Sequence, residues 1–353
     1  MQKPWDSDME SRTYHDALEQ IELADKVGFD YVWEVEHHFL EEYSHSSAPE
    51  VFLAAASQRT KNIRLGHGVA LLPYPFNHPI RVAERAAALD IVSNGRVDLG
   101  TGRSITEQEL GGFNIDPADS RPMWDEAVRM IPKMWTQETF SWEGDYFVVP
   151  PRNVIPKPVQ KPHPPMWMAC TQPDSFRIAG EYGLGALSFG FIAPGVLEAS
   201  LNIYREAVKD AKPVGEFVNN QFAATTFASV AATDEEALEF GRPAAEFFQE
   251  SLGILFIPWA KKKDAPPSYQ YYVSLAQMVE ARLSEGGGER FQEAWESDTL
   301  CIGSPERCRR VVKSYAETGI DQLIFMCQVG RVPHEKVMQT SRLFGEEIIP
   351  EFK

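Results

Sequence analysis

The sequence predicts an α/β fold of parallel strands, either a doubly wound sheet or a closed barrel. Short runs of alternating apolar character recur between longer runs with apolar residues at helical spacing, and glycine or proline stands at the junctions. Strands and helices that alternate in this way require right-handed crossovers between parallel strands. At 353 residues the chain has room for one large unit, because closed α/β barrels commonly reach ~250 residues or more.

Residues 13–27 place Ala17, Leu18, Ile21, Ala24 and Val27 near helical spacing, and Gly28 stands where a helix stops. A strand follows from Asp30, in which Tyr31, Trp33 and Val35 alternate with Val32, Glu34 and Glu36. Residues 48–58 form an alanine-rich helix opened by Pro49, 62–72 a strand with Gly66 and Gly68 inside it, 79–92 a helix, and 96–102 a third strand. The pattern then loosens over an excursion, 104–165, with a helix at 119–136, a hairpin about Glu143-Gly144-Asp145 and a proline-rich stretch at 150–165. Regularity returns with strands at 166–170, 185–191 and 221–231 and helices at 174–182, 195–210 and 234–248. Residues 252–299 are aromatic and rich in lysine and glycine, with Lys261-Lys262-Lys263 and Gly286-Gly287-Gly288, and read as an irregular lid. A helix at 305–318, a strand at 322–327 and a closing helix at 334–350 complete the series. That makes seven strands where eight would close a barrel. Nothing before residue 13 reads as a strand, so the first is missing or reduced to a stub at residues 2–5.

Composition narrows the function. A net charge of -17 opposes phosphate backbones, and Lys261-Lys262-Lys263 is a single short cluster, so nucleic acid is a poor partner. No apolar run approaches the ~20 residues of a membrane span, and the first residues lack a signal-peptide pattern, which makes a soluble cytoplasmic protein the expectation. Cys170, Cys301, Cys308 and Cys327 form no Cys-x-x-Cys and no disulfide framework.

Chemistry concentrates at Glu36-His37-His38, where a strand runs into a carboxylate and two imidazoles able to move protons near neutrality. Metal binding is disfavoured there, because adjacent strand residues point apart and no third ligand stands at recognisable spacing. Gly100-Thr101-Gly102-Arg103 follows a strand, so a ligand could approach the backbone while Arg103 grips a phosphate; Ile105 replaces the third glycine of a dinucleotide fingerprint. Gly66-His67-Gly68 marks a second close approach. His67, His78 and His163 stand alone and read as structural. Strand parity also predicts an interior ion network of Glu34, Arg64 and Asp98.

Taken as an ordered set, these motifs resemble the bacterial-luciferase-like flavin-dependent monooxygenase family. The residues concerned are Asp30-Tyr31-Val32-Trp33, Glu36-His37-His38-Phe39, Arg64-Leu65-Gly66, Leu72-Pro73, His78-Pro79, Gly95-Arg96, Gly100-Thr101-Gly102-Arg103 and Gly303-Ser304-Pro305. The resemblance implies a TIM (β/α)8 barrel with insertions, as a single domain over 1–353, with the excursion at 104–165 and a mobile lid at 252–299. It further implies reduced FMN bound at the carboxyl ends of the strands, supplied by a separate flavin reductase, and O2 activated as a flavin C4a-peroxide to oxygenate a small organic substrate; the aromatic lid with Trp33, Trp167 and Phe189 points to an apolar one. His37 matches the catalytic histidine, with Glu36 and His38 as its neighbours. Gly68-Val69 falls where a non-prolyl cis peptide underlies the flavin ring, Gly102 and Arg103 match the next strand's cofactor contacts, and Cys170 and Thr171 match a phosphate-binding strand end.

A homodimer is the family expectation. Gly102 stands where luciferase itself has a reactive cysteine, and the lid shows no pattern for a long-chain aldehyde, so light emission is not implied. The rivals are a deazaflavin (F420)-dependent oxidoreductase on the same fold and a non-catalytic luciferase-like partner subunit.

Overall fold

The computed structural model describes residues 2–262, 264–283 and 288–353. Lys263 of the lysine cluster and Gly286 and Gly287 of the glycine run therefore lie outside the described residues.

Helix α1 (Met9–Val27) precedes β1 (Tyr31–Glu34), and the next units are α2 (Pro49–Arg59), β2 (Arg64–Leu71), α3 (Pro79–Val92) and β3 (Val97–Gly102). The excursion holds α4 (Glu107–Gly112), α5 (Pro117–Thr136) and a hairpin of β4 (Phe140–Glu143) and β5 (Val148–Arg152). Then come β6 (Met166–Cys170), α6 (Pro173–Glu181), β7 (Gly185–Ser188), α7 (Pro194–Val208), β8 (Phe222–Val230) and α8 (Asp234–Ala260). The chain closes with α9 (Gln270–Leu283), α10 (Gly288–Glu296), β9 (Cys301–Gly303), α11 (Pro305–Glu317), β10 (Gln322–Met326) and α12 (His334–Leu343). Proline opens α2, α3, α5, α6, α7 and α11, where its fixed φ suits the first helical turn and its missing N–H costs no bond.

The main sheet runs β1-β2-β3-β6-β7-β8-β10, parallel throughout. These are the seven expected strands, in the order of a TIM barrel. Among the described residues no strand joins the outer edge of β1 to that of β10, so the barrel stays open on one side. β9 was not expected; it pairs with the carboxyl half of β8. Inside the barrel Trp33 meets Trp167 edge to face at 5.2 Å, packed with Leu187, Ala223 and Ile324. Gly66 is required beneath them, since a Cβ there would lie 2.2 Å from the Trp33 ring.

The predicted ion network forms only in part. Arg64 Nε donates to Asp98 Oδ2 at 2.6 Å, and the Trp167 indole donates to Asp98 Oδ1 at 2.9 Å. Glu34 is absent from it. Tyr31 is registered against Arg64 and Trp33 against Gly66, so the odd positions of β1 face the interior and Glu34 shares the outward face of Val32. The parity argument failed because β1 ends at Glu34 and Glu36 already belongs to the loop.

The lid segment also departs from expectation. Instead of an irregular stretch, α8 continues through Pro243 and Pro258 to Ala260, and a 3-10 turn (Pro267–Tyr269) leads into α9. Phe256, Trp259, Tyr269 and Tyr272 pack with Leu110 and Ile115, so the aromatics that looked like loop chemistry form a small core of their own.

Candidate active site

The carboxyl ends of the strands open into a cavity of about 1440 Å³. This exceeds the ~300–1,000 Å³ of ordinary ligand pockets, because the space continues into the gap between β1 and β10. Glu36 and His37 line it from the loop after β1, and Gly68 and Val69 from β2. Gly102, Arg103 and Thr171 line it from the ends of β3 and β6. The remaining two predicted residues stand aside, His38 behind Glu36 and Cys170 in the outer core.

His37 is held from behind. Its Nδ1 lies 3.0 Å from Glu109 Oε1, which also accepts the His38 backbone N–H at 3.0 Å. The other oxygen, Oε2, accepts the hydroxyls of Ser104 at 2.8 Å and Thr106 at 2.6 Å. Burial alone would push the Glu109 carboxyl up, yet the hydrogen bonds from His37, Thr106 and Ser104 hold it below the ordinary carboxylate range. An ionised acceptor assigns the proton to Nδ1 and leaves Nε2, which has no partner among the described residues, toward the cavity.

Glu109 was missed in the sequence. α4 has only six residues, two of them glycine, and falls below the usual reach of periodicity. A local signal was present: Thr106 to Glu109 has capping-box spacing, and the Thr106 side chain accepts the Glu109 N–H.

Glu36 and His38 brace the wall. Glu36 accepts from the Leu71 N–H at 2.9 Å, from the Asn77 amide at 2.8 Å and lies 3.1 Å from His38 Nε2. His38 stacks on Phe76 and meets Phe113 edge on, which turns its ring away from the cavity.

The floor is made of small residues. The Gly68–Val69 peptide is cis, as the resemblance implied. At Gly102 a Cβ would approach Val69 Cγ2 to 2.5 Å, so glycine there is what lets the Val69 side chain lie against the end of β3.

At the far end Arg103 stacks 4.3 Å over Tyr269 and donates to Ser120 Oγ at 3.0 Å and to the Ser268 carbonyl at 2.9 Å. Thr171 Oγ1 and the Tyr272 hydroxyl are 2.7 Å apart. Arg121, for which the sequence carries no signal, stands beside Arg103 with Nη1 buried and unpartnered. Burial first, and then the Arg103 charge, lower its pKa, and the nearest carboxylate, Asp174, is 3.9 Å away. Two adjacent guanidiniums short of counter-charge are suited to an anion such as a phosphate.

Cys170 contributes nothing by its side chain. The thiol bonds to the Met168 and Ser175 carbonyls inside the core, and its own carbonyl accepts the Phe189 N–H. Among the described residues no group of three or more histidine, cysteine, aspartate or glutamate side chains is placed to hold a metal, and no helix is long and apolar enough to cross a membrane.

An open parallel barrel with a glycine floor, an imidazole backed by a carboxylate and Arg103 at a strand end has the build of a ligand-binding site at the mouth of an α/β barrel. The luciferase-like monooxygenase family model matches residues 2–322, and the chain belongs to that family. It is 34% identical over 245 residues to limonene 1,2-monooxygenase of Rhodococcus erythropolis, covering 66% of this chain and 60% of that one. The chain thus spans little more than half the length of this relative. F420-dependent glucose-6-phosphate dehydrogenase of Amycolatopsis mediterranei is 24% identical over 344 residues, 96% of this chain and 94% of that protein. Among solved structures, the oxygenating constituent of 3,6-diketocamphane monooxygenase from Pseudomonas putida, in complex with FMN, superposes with a TM-score of 0.76 at 20% identity. It covers 99% of this chain and 95% of its own.

Proposed function

We propose that this protein is the oxygenase of a two-component flavin monooxygenase that uses reduced FMN and O2 to oxygenate a small, apolar organic substrate. The observation that carries this reading is the His37–Glu109 pair beside a glycine-floored cavity lined at its far end by Arg103, with Arg121 standing behind it. The fit to FMN rests on two features of the chain: the narrow floor of Gly68, Val69 and Gly102 along the cavity, and the buried Arg121 Nη1 without a partner beside Arg103. Gly68, Val69 and Gly102 would hold the flat ring, and Arg103, Arg121 and Thr171 the phosphate. When bound, reduced flavin supplies the two electrons with which one oxygen atom of O2 enters the substrate and the other leaves as water.

This chain's residues do the rest. Val69, Trp33 and Leu187 make an apolar wall that keeps water from the reacting centre. His37 accepts a proton at Nε2 and returns it, while Glu109 holds Nδ1–H and stabilises the imidazolium that forms. Glu36 keeps the loop that carries His37 against the end of β2.

Replacing His37 by alanine and assaying with reduced FMN, O2 and a substrate panel tests the role; oxygenation with unchanged coupling would sink it. Anaerobic titration with reduced FMN and with F420 separates the flavin reading from a deazaflavin-dependent oxidoreductase. A non-catalytic partner subunit is the weaker alternative, because it gives no reason for a buried carboxylate spent on orienting His37. We further propose delivery of the flavin by a separate reductase, and a homodimer through the α2–α3 side, where Val51 and Val92 are exposed apolar side chains.

A further inference from the structure

Beside His37 the cavity has an aromatic lobe. Tyr43, in the loop after β1, meets the His37 ring edge on at 5.1 Å and leans on Phe248 of α8 at 5.1 Å. Phe248 in turn meets Phe191 and Phe227 edge on, and these two stack at 4.1 Å. Tyr43, Phe189, Phe248, Val329 and Val332 all line the cavity.

The Tyr43 hydroxyl is the anomaly in this lobe. The fully buried tyrosines spend theirs inside the protein: Tyr204 donates to the Leu184 and Asn219 carbonyls, Tyr269 to Ser104, Tyr315 to Ile192 and Thr299, and Tyr272 pairs with Thr171. Among the described residues the Tyr43 hydroxyl has no partner. Tyr43 is half-buried and lines the cavity, so its hydroxyl is free to donate to an acceptor atom on a bound molecule. Burial suppresses its ionisation, so it stays a donor across the physiological range. The nearby carboxylate of Glu109 is already committed to His37, His38, Ser104 and Thr106.

We propose that Tyr43 is a specificity-determining hydrogen-bond donor that selects neutral, apolar ligands bearing a carbonyl oxygen and sets that oxygen at the edge of His37. The proposal rests on the reading of this cavity as the substrate site and names the class of compound it takes. Aromatic walls favour the hydrocarbon part, and the single O–H accounts for one acceptor atom. A charged ligand would lose its hydration in the lobe without a counter-ion.

The test compares acetophenone with α-methylstyrene, which differ by C=O against C=CH2 at nearly equal shape, binding to the full chain and to Tyr43→Phe by calorimetry or ligand-observed NMR. The expected result is acetophenone weakened about 2- to 10-fold in the variant, with α-methylstyrene unchanged or tighter. Thermal stability should hold, since the hydroxyl leaves no protein partner behind. Equal shifts for both ligands, no shift for either, or a wild-type protein that binds neither up to its solubility limit would overturn the proposal. So would a large loss of thermal stability in Tyr43→Phe, which would mean the hydroxyl serves the fold. Because binding is read without turnover, a chain that oxygenates nothing still returns the affinity ratio, and a lost ratio leaves the role of His37 untouched.

Discussion

His37 Nδ1 lies 3.0 Å from Oε1 of Glu109, and that carboxylate, only 1% exposed, comes from a six-residue helix outside the regular strand-helix series. Four groups donate to it, so it positions the histidine and ties α4 to the barrel mouth at once. Glu109→Ala should cost about 2–4 kcal/mol of stability, because it strands two hydroxyls and two N–H donors. Glu109→Gln keeps the shape and removes the charge. Under the proposed function it should lower kcat about 10²-fold with little change in KM, and move the pH profile. Wild-type kcat with an unmoved profile would show that the pair only serves the fold.

Glu34 offers a prediction about pH. Its carboxyl, on the outward face of β1, is pushed up from 4.5 to about 7 by burial, against a hydrogen bond from Ser46 and the charge of His37. Between those two values the unfolded chain has released its proton while the folded chain keeps it. Stability therefore falls as pH rises from about 4.5 to 7, by about 3 kcal/mol, and levels off above. Glu34→Gln should flatten that slope and raise stability at neutral pH. Denaturant titrations at a series of pH values read both, and an unchanged slope in the variant would count against the buried acid.

At the anion end, Arg103→Gln and Arg121→Gln should each weaken FMN about 10- to 100-fold. Riboflavin, which lacks the phosphate, should bind as before. Flavin-fluorescence titration measures both, and an equal loss for the two flavins would assign the arginines to the fold.

Gly102→Ala places a Cβ 2.5 Å from Val69 Cγ2. The expected cost is about 1–3 kcal/mol of stability from overpacking, together with a loss of flavin affinity as Val69 is pushed into the cavity. A variant with wild-type melting temperature and flavin affinity would show that the wall yields.

The strand series was legible because each parallel strand is a short apolar run bounded by glycine or proline, and packing inside the barrel demands that pattern. Trp33, Trp167 and Ile324 meet only because their strands share one register, and register is set by neighbours distant in sequence. Glu34 was assigned to the wrong face for a different reason: parity was counted from Glu36, which lies past the end of β1. The helices within 252–299 were obscured by composition: the aromatic, lysine and glycine residues there hid the helical spacing, yet α8 runs on through Pro258 to Ala260. Within the site, His37, Arg103 and Thr171 stood beside recognisable motifs. Arg121 and Tyr43 did not, since an arginine in a helix and a tyrosine in a loop acquire meaning only from what they face.

The hold of Ser268 and Tyr269 on Arg103, with Tyr272 on Thr171, also bears on kinetics. The groups suited to a phosphate are already engaged by the turn before α9 and the first turn of α9 itself, so under the proposed function an arriving ligand must trade places with the chain's own carbonyl and hydroxyl. Capture then has two steps, and its observed rate levels off with rising ligand concentration instead of climbing in proportion. The same exchange run backwards sets how long the ligand stays, which makes this short turn a timer for residence.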